Sequence, residues 1–266
     1  MKKLVEIINL NYSVRPNSIL KLGNEKIILK NISFDINPNE IIGITGESGS
    51  GKTTLIKLIA GILKPSSGKI KFTPQQEWEK VKTNPVQILF QNNDEILNPF
   101  RRIDSIIEES IRIRNKKEQD IAAEKERIFE SVGFSEELRS RKGFELSGGE
   151  QQRAALSRIL AAKPELLILD EPFSAQDVES QINLLNLFKR INEEFNLTMI
   201  CVAHNLKILR KLANRIFVMY NGEIVESGNT KDIFNSPQSD YTKFLIKCEN
   251  YDLKTPKFKF TETLTE

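Results

Sequence analysis

Between a short apolar stretch, residues 40–45 (EIIGIT), and a helix-patterned run, residues 53–63, lie Gly46, Glu47, Ser48, Gly49, Ser50, Gly51, Lys52 and Thr53. Strand, glycine-rich turn and helix in that order make an α/β unit, with the strand in a sheet and the helix packed on its face. The eight residues also fit G-x-x-x-x-G-K-[ST], a loop that wraps phosphates. Its backbone N–H groups must turn inward around an anion, which glycine allows by its dihedral freedom and its lack of bulk. The helix that follows points its positive end at the same charge. Lys52 then reaches the outer phosphates, the Thr53 hydroxyl is placed to ligate Mg²⁺, and Thr54 completes the phosphate contacts. A purely structural glycine turn is the competing interpretation, and the flanking strand and helix argue against it.

A second feature completes this chemistry. Leu166–Asp170 is an apolar run ending in a carboxylate, followed at once by Glu171. A buried strand that ends in an acid places Asp170 at the carboxyl edge of the sheet, where α/β proteins bind ligands. There Asp170 can hold Mg²⁺, directly or through water. Glu171, one residue on, points elsewhere and is the candidate base for an attacking water. The pair alone is weak, since many strands end in an acid; beside a phosphate loop it indicates a nucleoside triphosphatase.

The rest of the chain supports an α/β organisation. Residues 4–10 and 27–36 have strand character, the second alternating through Ile28, Lys30, Ile32 and Phe34, with a loop or hairpin extension between them. Residues 68–91 hold short strands, and Pro74 and Pro85 interrupt any helix there. Residues 102–132 change to helical spacing through Ile103, Ile106, Ile107, Ile111 and Ile113, followed by a charged, solvated segment. From 150 onward helices alternate with apolar strands at 166–170, 198–203 and 215–220. Residues 249–266 read as a weakly ordered tail.

Composition limits the partners. Of 266 residues, 39% are apolar and 28% charged, which excludes a wholly disordered chain. The 39 Lys and Arg against 36 Asp and Glu leave +3, too little to imply nucleic acid or anionic lipid as the main partner. No apolar run approaches the roughly 18–20 residues that cross a bilayer. The opening MKKLVEIINLNYS, broken by Glu6 and Asn9, shows no secretory signal. Cys201 and Cys248 lack metal-ligand spacing and cannot build a disulfide framework, which suits a reducing cytosol.

The narrowing feature is Leu146, Ser147, Gly148, Gly149, Glu150, Gln151, Gln152 and Arg153. A serine-capped helix would account for it alone, but the arrangement resembles the LSGGQ signature of ATP-binding cassette (ABC) ATPases, with Glu150 where glutamine is commonest. Other landmarks of that family follow in order. Gln91, after a strand, matches the Q-loop, which senses Mg²⁺ and water. The segment from Ser174 to Asp177 resembles the D-loop, with Gln176 replacing leucine. His204, the chain's single histidine, matches the H-loop, and Asn205 replaces the more usual aspartate after it. Tyr12 stands where family members stack an aromatic on adenine; a core tyrosine is its rival.

The resemblance spans residues 3–246. It implies a P-loop NTPase core of the ABC ATPase type over residues 1–248, with an N-terminal antiparallel β subdomain and an inserted α-helical subdomain at about 100–145. It also implies ATP hydrolysis with Mg²⁺ at a site shared by two subunits. Ser147, Gly148 and Gly149 of one subunit close over the γ-phosphate held by Lys52 of the other; Glu171 and His204 organise water and γ-phosphate, and Gln91 reports the state outward. Leu97, Asn98 and Pro99 resemble the stretch after the Q-loop in oligopeptide, dipeptide and nickel importers. Residues 232–237 and the Tyr241–Thr242 pair resemble the ending of the same subfamily. Those importers imply separate transmembrane permease subunits, a sister ATPase or a second copy as partner, and an extracellular solute-binding protein acting indirectly. The place would be the cytoplasmic membrane face. A soluble cassette docked on a cytosolic enzyme complex and a translation-associated ATPase are the alternatives. A single cassette argues against the latter.

Overall fold

The computed structural model describes residues 2–14, 25–74, 84–90, 97–114, 121–174 and 176–249. Two sheets form. Strands β1 (Val5–Val14), β2 (Lys26–Ile36) and β4 (Ser67–Phe72) make an antiparallel sheet in the order β2-β1-β4. Strands β3 (Ile41–Gly46), β5 (Val86–Leu89), β6 (Leu166–Asp170), β7 (Thr198–Val202), β8 (Arg215–Tyr220) and β9 (Glu223–Asn229) make a mixed sheet. Its order is β5-β6-β7-β3-β8-β9, parallel except for the antiparallel pair β8 and β9 at one edge.

The apolar runs dictate this layering. Every residue of β3, β6 and β7 is buried, because a parallel sheet is covered on both faces. Alternate side chains serve two cores. Leu166, Ile168, Ile200, Val202, Ile42 and Ile44 face α1 (Lys52–Ile59) and the three-stranded sheet. Leu167, Leu169, Met199 and Cys201 face the helical side, where α5 (Gly148–Ala161) and α6 (Val178–Phe195) supply Leu156, Leu160, Leu184 and Phe188. The chain is an α/β protein, as expected.

Helices dominate the described residues between 103 and 145. Helices α2 (Ile103–Arg114) and α3 (Ile121–Val132) are followed by α4 (Glu136–Arg139) and a 3₁₀ turn (Gly143–Glu145). Ile103, Ile106, Ile107 and Ile111 bury the face read from their spacing, while Ile113, two residues past Ile111 and so off that stripe, is exposed; with Ile128 and Phe129 of α3 they join α2 and α3 to α5 and α6. Arg114 and Lys163 share Glu124, and Arg114 also donates to the Ala161 carbonyl at the end of α5. A charge triad thus pins these helices to the rest of the chain.

Two local expectations change. The alternation expected along residues 27–36 shifts phase, so that Leu29, Ile32 and Ile36 are the buried positions. Asn9 adopts φ +47° and Asn31 +48°, one at each of two neighbouring slips in the register between β1 and β2; a bulge reverses which residues point inward. Helix α7 (Leu206–Leu212), between β7 and β8, packs against two helices that follow β9, α8 (Thr230–Asn235) and α9 (Asp240–Glu249); these last two were not anticipated. The tail expected over 249–266 lies, from residue 250, outside the described residues.

Candidate functional site

The carboxyl ends of β3, β6 and β7 meet where the sequence places its chemistry. The loop after β3 turns through Gly46 (φ +146°), Gly49 (+84°) and Gly51 (+102°). A Cβ on Gly46 would sit 2.1 Å from the Met219 carbonyl, and one on Gly51 2.6 Å from Leu29, so neither position admits a side chain. The first turn of α1 carries no acidic residue, and Gly51 provides no side-chain cap. Its N–H groups are left as donors facing the loop.

Lys52 is 5% exposed. Its Nζ donates to the carbonyls of Gly46 at 2.8 Å and Glu47 at 2.7 Å. Burial pushes its pKa down, opposed by the negative charges of Glu171, Asp170 and Glu47. The Ser50 hydroxyl is buried without a hydrogen-bond partner among the described residues. A buried cation, an orphaned hydroxyl and uncapped amides around glycines that a Cβ would clash with are a donor set suited to a polyphosphate.

Asp170 ends β6 and is 8% exposed. Burial, and then the neighbouring Glu171 charge, raise its pKa. A buried acid next to a second, part-buried one makes a site that a divalent cation would relieve. Glu171 takes φ +50°, a costly conformation for a residue with a side chain. It is held there by its N–H to the Val202 carbonyl (3.0 Å), while Ser174 donates its N–H (3.2 Å) and hydroxyl (2.8 Å) to the Glu171 carbonyl. The turn aims the Glu171 carboxylate at His204, whose Nε2 lies 2.6 Å from Glu171 Oε1. His204 follows β7, and Asn205, the departure without a reading in sequence, caps α7 by accepting from the Ile208 N–H at 3.2 Å.

A cavity of about 640 Å³ gathers Ser48, Gly49, Gly51, Lys52, Thr53, Thr54, Glu171 and His204. Its opposite wall, from β2 and the turn between β8 and β9, was not anticipated and includes Lys26, Ile28 and Gly222. Gly46, Glu47, Ser50 and Asp170 stand behind the lining. Tyr12 lies on β1 opposite Leu29, packed against the apolar core beneath the three-stranded sheet and off the cavity wall. Gln91 lies outside the described residues. Ser147, Gly148 and Gly149 are elsewhere, at the exposed start of α5. There Glu150 accepts from the Ser147 N–H at 2.7 Å in a capping box. Gly149 lines a separate cavity of about 270 Å³ with Gln152, Gln176 and Asp177. Gln176, the departure in the D-loop-like segment, donates to Gln152 at 2.9 Å within the same chain.

The profile of the ABC transporter family matches residues 29–174, which run from β2 through the phosphate loop, the start of α5 and the Asp170–Glu171 pair. The chain belongs to the ABC transporter family. Among curated relatives, the oligopeptide transport ATP-binding protein OppF of Lactococcus lactis subsp. lactis (strain IL1403) is 35% identical over 257 residues, covering 91% of this chain and 80% of the relative. The dipeptide transport ATP-binding protein DppF of Haemophilus influenzae is 33% identical over 246 residues, covering 89% and 75%. Among solved structures, cbiO1 from Clostridium perfringens, part of the ABC transporter complex cbiONQ, superposes with a TM-score of 0.75 at 26% identity, covering 95% of this chain and 96% of that one. The dimeric ATP-binding cassette MJ0796 bound to ADP and Pi gives 0.68 at 25% identity, covering 85% and 98%. This ABC protein is therefore an ATPase, and its nucleotide-binding fold is the shared part. No helix among the described residues is long and apolar enough to cross a membrane.

One prediction concerns this ABC ATPase without nucleotide. Because the folded-state pKa of Asp170 is raised, the native state binds that proton more tightly than the unfolded chain. The contribution is most stabilising at low pH and is lost as pH rises through the folded value. Asp170→Asn is thus expected to melt above wild type at pH 7.5 in EDTA, the difference closing as pH falls through the carboxylate range. Calorimetry at a series of pH values measures it; an Asp170→Asn protein that melts below wild type at pH 7.5 would contradict it.

Proposed function

We propose that this chain powers import of a small solute, a peptide being the favoured cargo, as the peripheral ATPase of a membrane transporter. The observation that carries the chemistry is the pairing of Glu171 with His204 in the cavity that the phosphate loop opens into. The peptide assignment rests on the relatives' names and on the Leu97–Asn98–Pro99 and Tyr241–Thr242 likenesses. Residues 1–248 would act as one nucleotide-binding domain, with the helices of 100–145 turned toward separate permease subunits at the cytoplasmic face and a solute-binding protein outside.

In this reading the loop amides and Lys52 bind the phosphates of ATP, and the Ile28 side of the cavity faces the nucleoside. Thr53 and Asp170, with Gln91, would hold Mg²⁺, which supplies charge neutralisation at the β- and γ-phosphates. Glu171 takes the proton of the attacking water while the bond between the γ-phosphorus and the ADP oxygen breaks; His204 orients the carboxylate that receives it. Positioning and charge do most of the catalytic work.

The exposed Ser147–Gly149 segment lines no part of that cavity in its own chain, which fits a site completed by a second ATPase subunit. Ser147→Ala is therefore expected to leave ADP binding by the isolated chain unchanged. In the assembled transporter it should lower ATP occlusion at the partner's phosphate loop. Photocrosslinking of azido-ATP in the reconstituted complex tests this. A Ser147→Ala chain that binds ADP more weakly alone would place the segment in its own site. Absence of ATP-dependent peptide uptake by vesicles carrying the chain with its permease subunits would reject import.

A further inference from the structure

The last helix, α9, touches the phosphate loop. The Glu47 N–H donates to the Tyr241 hydroxyl at 2.9 Å across 194 positions of sequence. That N–H belongs to the same peptide plane as the Gly46 carbonyl, which accepts from Lys52 Nζ at 2.8 Å. In a trans peptide, N–H and C=O point in opposite directions. Tyr241 and Lys52 therefore grip one plane from its two sides. A rotation that released one would release the other.

The brace itself is well seated. Tyr241 is buried, with its ring against Tyr220, 4.4 Å between centroids, at the end of β8. The preceding Met219 crowds Gly46. At the other end of α9, Glu249 accepts from the Lys207 N–H at 2.7 Å in the first turn of α7, the helix after His204. One helix thus spans from the phosphate loop to the helix that follows the histidine.

We infer that Tyr241 is a positioning residue for nucleotide: its hydroxyl holds the peptide joining Gly46 and Glu47 in the orientation that seats Lys52, so that the phosphate loop is formed before its ligand arrives. The inference rests on the assignment of residues 46–53 to nucleotide phosphates. Without the hydroxyl the peptide samples other orientations, Lys52 loses a fixed carbonyl partner, and binding must reorder the loop.

Tyr241→Phe removes only the oxygen and keeps the ring on Tyr220. Two measurements on the purified full-length chain decide the matter: calorimetric titration with Mg·ADP, and amide exchange followed by mass spectrometry without nucleotide. The Kd for Mg·ADP is expected to rise about fivefold, the worth of one hydrogen bond. Peptides covering 43–52 should exchange faster, while those of α6 stay as in wild type. A variant that melts earlier yet binds Mg·ADP as wild type does, with unchanged exchange over 43–52, would reduce Tyr241 to a packing residue and overturn the inference. Wild-type protein that fails to bind Mg·ADP would instead reject the nucleotide assignment, and the exchange measurement would still decide whether Tyr241 braces the loop.

Discussion

Glu171→Gln is expected to bind Mg·ATP as well as wild type does and to hydrolyse it at less than about one-hundredth of the wild-type rate, the usual span for losing a general base. The substitution keeps shape, the φ +50° turn and an oxygen for His204 to address. It removes only the ability to take a proton. Binding persists because the phosphate contacts come from the loop and Lys52, not from Glu171. Binding should even improve slightly, since one of two adjacent negative charges beside the phosphates is gone; the same charge raises the pKa of Asp170. Filter retention of radiolabelled ATP and single-turnover phosphate release, both on the assembled complex, separate the two effects. Turnover at the wild-type rate would remove Glu171 from the role of base and leave His204 or the Asp170 side to supply it.

Lys52→Ala should fail one step earlier. Lys52 is, among the described residues, the one buried lysine lining the cavity, and its burial is tolerated because two carbonyls and three nearby carboxylates favour the charge. A charge-assisted hydrogen bond to a phosphate contributes about 1.5–3 kcal/mol. Losing two such bonds weakens Mg·ATP binding by at least about a hundredfold. The Gly46 and Glu47 carbonyls also lose their partner, so the loop should loosen in amide exchange even without nucleotide. Circular dichroism establishes that the variant is folded, and calorimetric titration gives the Kd. An affinity within a few-fold of wild type would mean that the loop amides alone carry the phosphates.

The two variants differ in kind, and the reason lies in the geometry. Lys52 sits where the ground-state charge of the nucleotide is held, so its loss is felt in binding. Glu171 sits across the cavity, where a proton must leave during reaction, so its loss is felt in rate.

Much of this was legible before any coordinates. A run such as LLILD has no polar face, so it must be covered on both sides, and β6 is buried along its whole length. The glycine pattern of 46–51 names its own turn, because three of those positions require φ values closed to other residues. Ile103, Ile107 and Ile111 repeat at helical spacing and bury as one stripe. The Asn221–Gly222 pair is a hairpin signal of the same local kind that went unread in the sequence: both residues adopt positive φ and join β8 to β9. A Cβ at Gly222 would stand 2.4 Å from the Ile28 carbonyl. The phase of β2 was misread because one residue at Asn31 exchanges its faces, and no periodicity argument sees a bulge.

Local pattern, then, determined the strands and helices, the phosphate loop and the acids that close β6, because each depends on neighbours within a few residues. Tertiary structure alone decided which distant groups meet: His204 with Glu171, Gln176 with Gln152, Tyr241 with the amide of Glu47. Those contacts depend on strand order and on how α9 returns across the sheet, and chain spacing holds no record of either. The same holds for Tyr12, whose aromatic character is plain in sequence but whose partial burial against the core under the three-stranded sheet came from packing.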